Sequence, residues 1–363
     1  MEGRMQRLVL AGFLTLALAG FPGLAGAAVI GSWNLEHLGW NNDKRLDLVA
    51  RVAGRFDLLA VQELMNDEAL AALEQELEAV SGEAWSSMAS HAVGRSRYQE
   101  HYGFLWRESR IASLGGGAVY IDRGDVFARE PFSARFRDRE NDDAFVAATV
   151  HVVYGDGLAD RRPEVEALAD YWQWLDEAYP DTPRMLMGDF NMAPDDPAWA
   201  PLRALGVVPA LNGQATTLGT TPGRYASPYD NIWYRPDRLS PQALGMLRYP
   251  ALTGLDHVAA REHVSDHAPV YLALHQGELR ALPPGAGEVA GAGGASHARA
   301  AGCIDLNASS VAMLERLPHI GPARAESIVD GRPWAGSGEL SRIDGIAVGR
   351  LADIRDSGRL CSG

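Results

Sequence analysis

This sequence predicts a domain of mixed α/β layers followed by a small all-α unit, and three observations predict it. From Val29 to about His275, apolar runs of strand length alternate with amphipathic stretches of helical spacing. Acids and amides recur at the ends of those apolar runs. The composition then breaks: Pro283-Pro284-Gly285 through Gly291, Gly293, Gly294 and Ala295 contains almost no large apolar residue, and four short helical segments come after it.

Taken in order, Val29 to Trp33 reads as a strand, Lys44 to Phe56 as a helix, Asp57 to Val61 as a buried strand and Asp67 to Val80 as a second helix. Further strands are expected at Tyr102 to Trp106, Gly117 to Ile121, Phe145 to Val153, Arg184 to Met187, Asp230 to Tyr234 and Val270 to Leu274. The charged stretch Arg135 to Asp143 reads as a solvated loop. Beyond the Gly/Pro/Ala-rich segment, short helices are expected at Ala308 to Leu317, Pro322 to Asp330, Ser337 to Ile343 and Val348 to Ser357. The organisation is therefore a leader over residues 1–27, a catalytic domain over 28–275, a linker over 276–301 and a helical domain over 302–363.

The leader is expected because Arg4 and Arg7 precede an apolar run, Leu8 to Leu18, that closes on the small residues Ala25-Gly26-Ala27. That run is short against the roughly 20 residues of a membrane span. The reading is a cleaved export signal, so the mature chain is expected in the periplasm or the medium, monomeric and without stable membrane association. Loss of Glu2, Arg4 and Arg7 removes a net +1, so the formal charge of −14 becomes −15. A generally basic, nucleic-acid-coating protein is thereby excluded. A phosphate-processing site is not, because a divalent cation held by carboxylates inverts the local charge. The two cysteines, Cys303 and Cys361, lie in the helical domain and, in an oxidising compartment, are expected to form a disulfide. Closing a loop of that size is worth about 4 kcal/mol in the loop-entropy picture.

The chemistry is carried by the strand ends. Asn34 follows the first strand, Glu63 the second, Asp189 and Asn191 follow Met187, Asp230 precedes Ile232, and Asp266-His267 precede Val270. Hard oxygen donors converging on one sheet edge make a site for Mg²⁺, with Mn²⁺ as a substitute, and such an ion assists phosphodiester hydrolysis.

Eight runs carry a resemblance. They are Trp33-Asn34-Leu35, Val61-Gln62-Glu63, Tyr98-Gln99-Glu100-His101-Tyr102, Arg129-Glu130-Pro131, Thr149-Val150-His151, Met187-Gly188-Asp189-Phe190-Asn191, Tyr229-Asp230-Asn231-Ile232 and Ser265-Asp266-His267-Ala268-Pro269. Their order resembles the endonuclease/exonuclease/phosphatase superfamily and, within it, the pancreatic-type deoxyribonucleases. The resemblance implies a two-sheet α/β sandwich with its active site at one edge of the sheets. It implies Glu63 as principal metal ligand with Asn34 beside it, Asp266 as a further carboxylate near the metal, and Asp189 and Asn191 positioning water and phosphate. It pairs His267 with Asp230 and His151 with Glu100, leaving open which imidazole is acid and which is base. It places Arg129 and Tyr98 on substrate phosphate, with Arg95, Arg97, Arg135, Arg137 and Arg139 able to extend a basic track, and it allows a structural Ca²⁺.

In the C-terminal region, Leu317 to Ala325 and Ile343 to Leu351 resemble the two hairpins of the tandem helix-hairpin-helix domains found in competence DNA receptors. That resemblance implies DNA binding through backbone phosphate by Gly321, Ala323, Arg324, Gly345, Gly349 and Arg350, without sequence preference. His319 and Ala347 stand where such hairpins usually have glycine. Two other functions fit the sequence less well: a phosphodiesterase or phosphatase acting on phospholipid or another non-nucleic-acid substrate, and a non-catalytic DNA-binding or uptake protein. The hairpins argue against the first, and the filled catalytic positions against the second.

Overall fold

Alternation of side chains along the strands divides this chain into layers. In the computed structural model the described residues are 28–40 and 42–274 and, between 304 and 360, all but 308, 310, 315, 316, 333, 335, 336, 344, 345, 347–349, 352, 353, 355, 356 and 358. The expected leader and linker, the cysteine pair Cys303 and Cys361, and the hairpin residues Gly345 and Gly349 lie outside the described residues. The first sheet is built from β1 (Val29–Leu38), β2 (Leu58–Leu64), β3 (Trp85–Ala89) and β4 (His101–Arg107), with α1 (Leu46–Ala53) and α2 (Asp67–Ser81) between them. The second takes β5 (Ile111–Ser113), β6 (Ala118–Val119), β7 (Phe132–Asp138), β8 (Ala144–His151), then α3 (Leu158–Ala178), β9 (Arg184–Asp189), α4 (Ala200–Ala204), β10 (Val208–Pro209) and β11 (Asp230–Tyr234). The chain returns to the first sheet through β12 (Ala243–Met246), α5 (Pro250–Thr253), α6 (His257–His263) and β13 (Val270–Ala273). Strand orders are β12-β13-β1-β2-β4-β3 and β10-β11-β9-β8-β7-β5, with β6 also pairing β7.

The inward residues of both sheets form the central core: Ile30, Leu58, Ala60 and Phe104 from the first meet Phe136, Phe145, Ala147, Met185, Met187 and Ile232 from the second. The outward residue set of the first sheet, Trp33, Leu59, Val61 and Leu105 among them, packs under α1 and α2. Val146, Ala148, Val150 and Leu186 of the second pack under α3. Each buried aliphatic or aromatic side chain contributes about 1.5–3 kcal/mol of transfer free energy, so both faces of both sheets are committed to the sandwich. The four-layer α/β sandwich expected from the sequence is the fold.

Several elements depart from expectation. The stretch from Arg135, read as a solvated loop, is in its first half strand β7: Phe132, Ala134, Phe136 and Asp138 are buried while Arg135 and Arg137 are exposed. Its polar residues are the outward half of a period-two pattern. The expected strand Gly117 to Ile121 shrinks to β6, two residues long. Residues 158–178, where the sequence suggested no element, form the longest helix among the described residues, with Pro163 inside it.

In the C-terminal region α7 (Val311–Leu314) and α8 (Pro322–Asp330) pack Leu314, Leu317, Ile320, Ala325 and Ile328 with Trp334, Leu340 and Ile354. The expected helix at Ser337 is a 3₁₀ turn, Ser337–Arg342. His319, in the segment expected to form the first hairpin, adopts a left-handed φ of 60°, the conformation glycine supplies most easily.

Candidate active site

Register brings the strand ends together. β8 and β9 run parallel with His151 beside Asp189, and β11, antiparallel to β9, sets Asp230 beside the same Asp189. In the other sheet, β1 and β2 run parallel with Asn34 beside Gln62, so Glu63 follows one residue on. Glu100 immediately precedes β4, and His267 lies three residues before β13, whose antiparallel pairing with β1 returns it to Asn34. Ser265 Oγ donates to the Asn34 carbonyl at 2.7 Å and Trp33 Nε1 to the His267 carbonyl at 2.7 Å, which pins the His267 turn to β1. Beneath the site, buried Gln62 joins the sheets by donating from Nε2 to Ser32 Oγ at 3.1 Å and Thr149 Oγ1 at 2.8 Å.

These residues border a cleft of about 620 Å³ lined by Glu63, Tyr98, Arg129, His151, Asp189, Asn191, Asp266 and His267. His151 Nδ1 meets Glu100 Oε1 at 3.0 Å and His267 Nδ1 meets Asp230 Oδ2 at 2.9 Å. With each Nδ1 turned to a carboxylate, both Nε2 atoms face Asp189 Oδ2, His151 at 3.5 Å and His267 at 3.7 Å. His151 Nε2 also lies 3.8 Å from Glu63 Oε1, and His267 Nε2 3.7 Å from Asp266 Oδ1. Burial and the Arg129 charge push His151 down, but Glu100 and Asp189 outweigh them and hold the imidazole above its usual pKa. For His267, burial is overcome by Asp230, Asp189 and Asp266, which raise it well above the usual value. Glu100 is raised by burial but lowered more by His151 and Arg129, and ends below the usual carboxylate range.

Asn34 donates from Nδ2 to Glu63 Oε1 at 2.9 Å and to Asp189 Oδ2 at 3.1 Å, while its Oδ1 accepts Glu36 N at 2.9 Å. The Glu36 N–H requires an acceptor, so Asn34 turns its amide N–H to the carboxylates and links Glu63 to Asp189. Asn191 N donates to Asp189 Oδ1 at 2.9 Å and its Nδ2 to the Val152 carbonyl at 2.9 Å. Glu63 and Asn191 both take left-handed backbone, φ 58° and 46°, which bends each strand end into the cleft. Arg129, expected on phosphate, is buried with Nε and Nη2 on the His151 and Val152 carbonyls. Tyr98 Oη donates to Glu100 Oε2 at 3.1 Å, and burial followed by the Glu100 charge raises its pKa.

The donor set fits a hard cation. Carboxylates of Glu63, Asp189 and Asp266 line one cleft, with Asp230 buried behind His267, and Asp189, Asp230 and His267 bring one donor atom each within 4.8 Å of one another. The structure does not bring Gly321, Arg324 or Arg350 to this cleft; all three lie in the C-terminal region.

Residues 31–267 match the model of the Endonuclease/Exonuclease/phosphatase family. The chain belongs to that family. Membership makes it a hydrolase of phosphate esters. A "Deoxyribonuclease" of Thioalkalivibrio sp. (strain K90mix) is 46% identical, the match covering 96% of this chain and 97% of that one. "Deoxyribonuclease-1" of Oryctolagus cuniculus is 27% identical over 74% of this chain and its own whole length. Among solved structures, a family protein from Bacteroides vulgatus superposes with a TM-score of 0.50 at 17% identity, covering 68% of this chain and 98% of its own, which speaks for the fold.

Several groups at the family's cleft are not signalled by strand ends. Thr216 Oγ1 donates to Asp230 Oδ2 at 2.6 Å. Arg261 Nη2 donates to Asp266 Oδ2 at 3.0 Å. Arg161, on α3, donates to the Asn191 carbonyl at 2.8 Å and to Tyr229 Oη at 3.2 Å. His37 bonds Glu63 through its backbone N at 3.1 Å. Arg161 and His37 reach the site from elements distant in sequence from their partners, so no local motif marks them, whereas Arg261 lies five residues before Asp266.

Proposed function

We propose that this protein is an exported, divalent-metal-dependent deoxyribonuclease that cuts DNA phosphodiester bonds internally with little sequence preference. One observation carries the reading: two imidazoles, each braced at Nδ1 by its own carboxylate, turn Nε2 toward the single carboxylate Asp189. One can take a proton from the attacking water while the other gives a proton to the leaving oxygen, which is the division of labour a diester requires. The full-length likeness to a protein named a deoxyribonuclease supports DNA as the substrate.

Glu63 and Asp266 are the residues to hold Mg²⁺, with Mn²⁺ as a substitute, and Asn34 keeps Glu63 and Asp189 in position. The ion supplies charge neutralisation at the phosphate when it is bound. Asp189 and Asn191 then orient water and phosphate. Tyr98 stands at the cleft for a substrate phosphate; Arg129 serves first by fixing the strand end that carries His151. Export rests on the leader, and the small helical domain on the hairpins, whose Gly321, Arg324 and Arg350 are to meet phosphate. The Cys303–Cys361 disulfide is supported by the neighbouring residues: Ile304 and Leu360 form a parallel bridge, with Ile304 N donating to the Arg359 carbonyl at 2.7 Å. Among the described residues no helix is long and apolar enough to cross a membrane.

Supercoiled plasmid incubated with the purified mature protein tests this directly. Nicking is expected with Mg²⁺, none with EDTA, and His267→Ala or Asp189→Ala should lose about 10²–10⁴-fold in rate while keeping the near-UV circular dichroism of the fold. Intact plasmid with Mg²⁺, Mn²⁺ and Ca²⁺ alike would turn the assignment to a non-nucleic-acid phosphodiester.

A further inference from the structure

Beyond Asn34, β1 does not run on flat. Its register against β2 shifts between Asn34 and Leu38, and Glu36, His37 and Gly39 all take positive φ, 46°, 60° and 101°. Two successive side-chain-bearing residues in the left-handed region are costly, so the neighbouring structure must enforce them. It does so through Asn66, whose Nδ2 donates to the Gly39 carbonyl at 2.9 Å, and through the turn bond from Trp40 N to the His37 carbonyl at 3.2 Å. The product of this bend is a stack: the Trp40 indole lies on the His37 imidazole with centroids 4.3 Å apart and planes 7° from parallel, and the Tyr98 ring meets the indole edge-on at 6.1 Å. His37 Nε2 lies 3.2 Å from Glu63 Oε2, and both His37 and Tyr98 line the cleft.

One face of the indole is thus covered, yet the side chain remains 52% exposed. A large aromatic surface left in water has no packing rationale, and the tethers hold it there. The other exposed large aromatic among the described residues is Tyr154, 60% exposed, which lines the same cleft from the loop after β8 with the Arg161 guanidinium 4.2 Å over its ring. Tyr154 thus lines the cleft itself, and Trp40 packs against His37 and Tyr98, two residues that line it. Around them the cleft is crowded with carboxylates that repel phosphate away from the ion, whereas a neutral π-face accepts any base.

We propose that the open face of Trp40 is a stacking subsite for an unpaired base of the strand being cut, one residue removed from Glu63, so that the enzyme favours single-stranded or locally opened DNA. A base inside a duplex has both faces occupied by its neighbours and cannot use the indole. The proposal rests on the deoxyribonuclease reading and goes beyond it in naming the form of DNA preferred.

The test is steady-state cleavage of two single strands of equal length, one with ordinary bases and one abasic throughout, by wild type, Trp40→Ala and Trp40→Phe. Wild type should prefer the base-bearing strand through KM. Trp40→Ala should shrink that preference, measured as the ratio of kcat/KM values, by about tenfold, and Trp40→Phe should keep most of it. An unchanged ratio in Trp40→Ala overturns the subsite. So does an equal fall on both strands carried by kcat, since Trp40 would then only support His37 and Glu63. Wild type that cuts neither these strands nor duplex DNA defeats the deoxyribonuclease reading itself, an outcome visible without any variant.

Discussion

His151 and His267 each have Nδ1 bonded to a buried carboxylate and Nε2 directed at Asp189. The consequence for charge is clearest at the pair of His151 and Glu100, both buried. His151 is held above its usual pKa and Glu100 below its own. A histidine whose folded value is raised contributes stability that is complete below its unfolded value, about 6.5, and is lost as the pH climbs through the folded one. A carboxylate whose folded value is lowered contributes above its unfolded value, about 4.3, and loses that contribution as the pH falls through the folded one. The pair therefore stabilises most between about pH 4.3 and 6.5 and weakens on both sides. Urea unfolding of wild type and Glu100→Gln in EDTA should show the largest difference near pH 5.5 and a smaller one near pH 8.5. A difference that does not vary with pH would mean that Glu100 is held by packing and not by its charge. These pairings were legible from sequence only through the resemblance. What local sequence marked on its own was the acid or amide at a strand end: Asn34, Glu63, Asp189, Asn191, Asp230 and Asp266. Arg161 was invisible because its partnerships with Asn191 and Tyr229 are made across the fold.

At the scale of elements, the site depends on how closely β8 and β9 approach. Gly188 sits opposite Val150 in their parallel register, one residue before Asp189. Its φ is 150°, and a Cβ there would lie 1.9 Å from the Val150 carbonyl oxygen. Gly188→Ala must therefore push β9 away from β8, and is expected to cost about 3 kcal/mol or more in urea unfolding and to cut kcat, because His151 and Asp189 face one another across that same pair. A variant as stable and as active as wild type would show that the strands relax apart without moving the site. Strand legibility followed side-chain alternation. β11 carries Asp230–Tyr234 as expected because Ile232 and Trp233 are buried in the cores on its two faces. β7 was hidden because its outward residues, Arg135 and Arg137, imitate a loop, and β3 because Trp85-Ser86-Ser87-Met88-Ala89 has few apolar residues to alternate. Helix α3 carries Pro163 and a charged outer face, so neither propensity nor a strong apolar stripe announced it.

Over the whole molecule, the formal charge of −14 sets a problem that the proposed DNA grip of the C-terminal region would answer. An acidic enzyme approaching a polyanion gains little from long-range attraction and is helped by a separate, local grip. In the segment Leu317 to Gly321 proposed for that grip, His319 takes a left-handed conformation, Arg324 Nη1 donates to the His319 carbonyl at 3.0 Å, and α8 starts at Pro322 with Gly321 as its cap. The core of this region, Leu314, Ile320, Ile328, Trp334 and Leu340 with their neighbours, is its own cluster and shares no buried residue with the sandwich. Truncation after His275 is accordingly expected to leave cleavage chemistry in place while weakening DNA binding by about 10-fold or more at moderate salt, with a flatter dependence of affinity on salt concentration. Fluorescence anisotropy of labelled DNA at several salt concentrations, with EDTA present to stop cleavage, measures both. A truncated chain with the slope and affinity of the full one would remove the C-terminal region from DNA binding and leave the cleft as the whole of the substrate's contact.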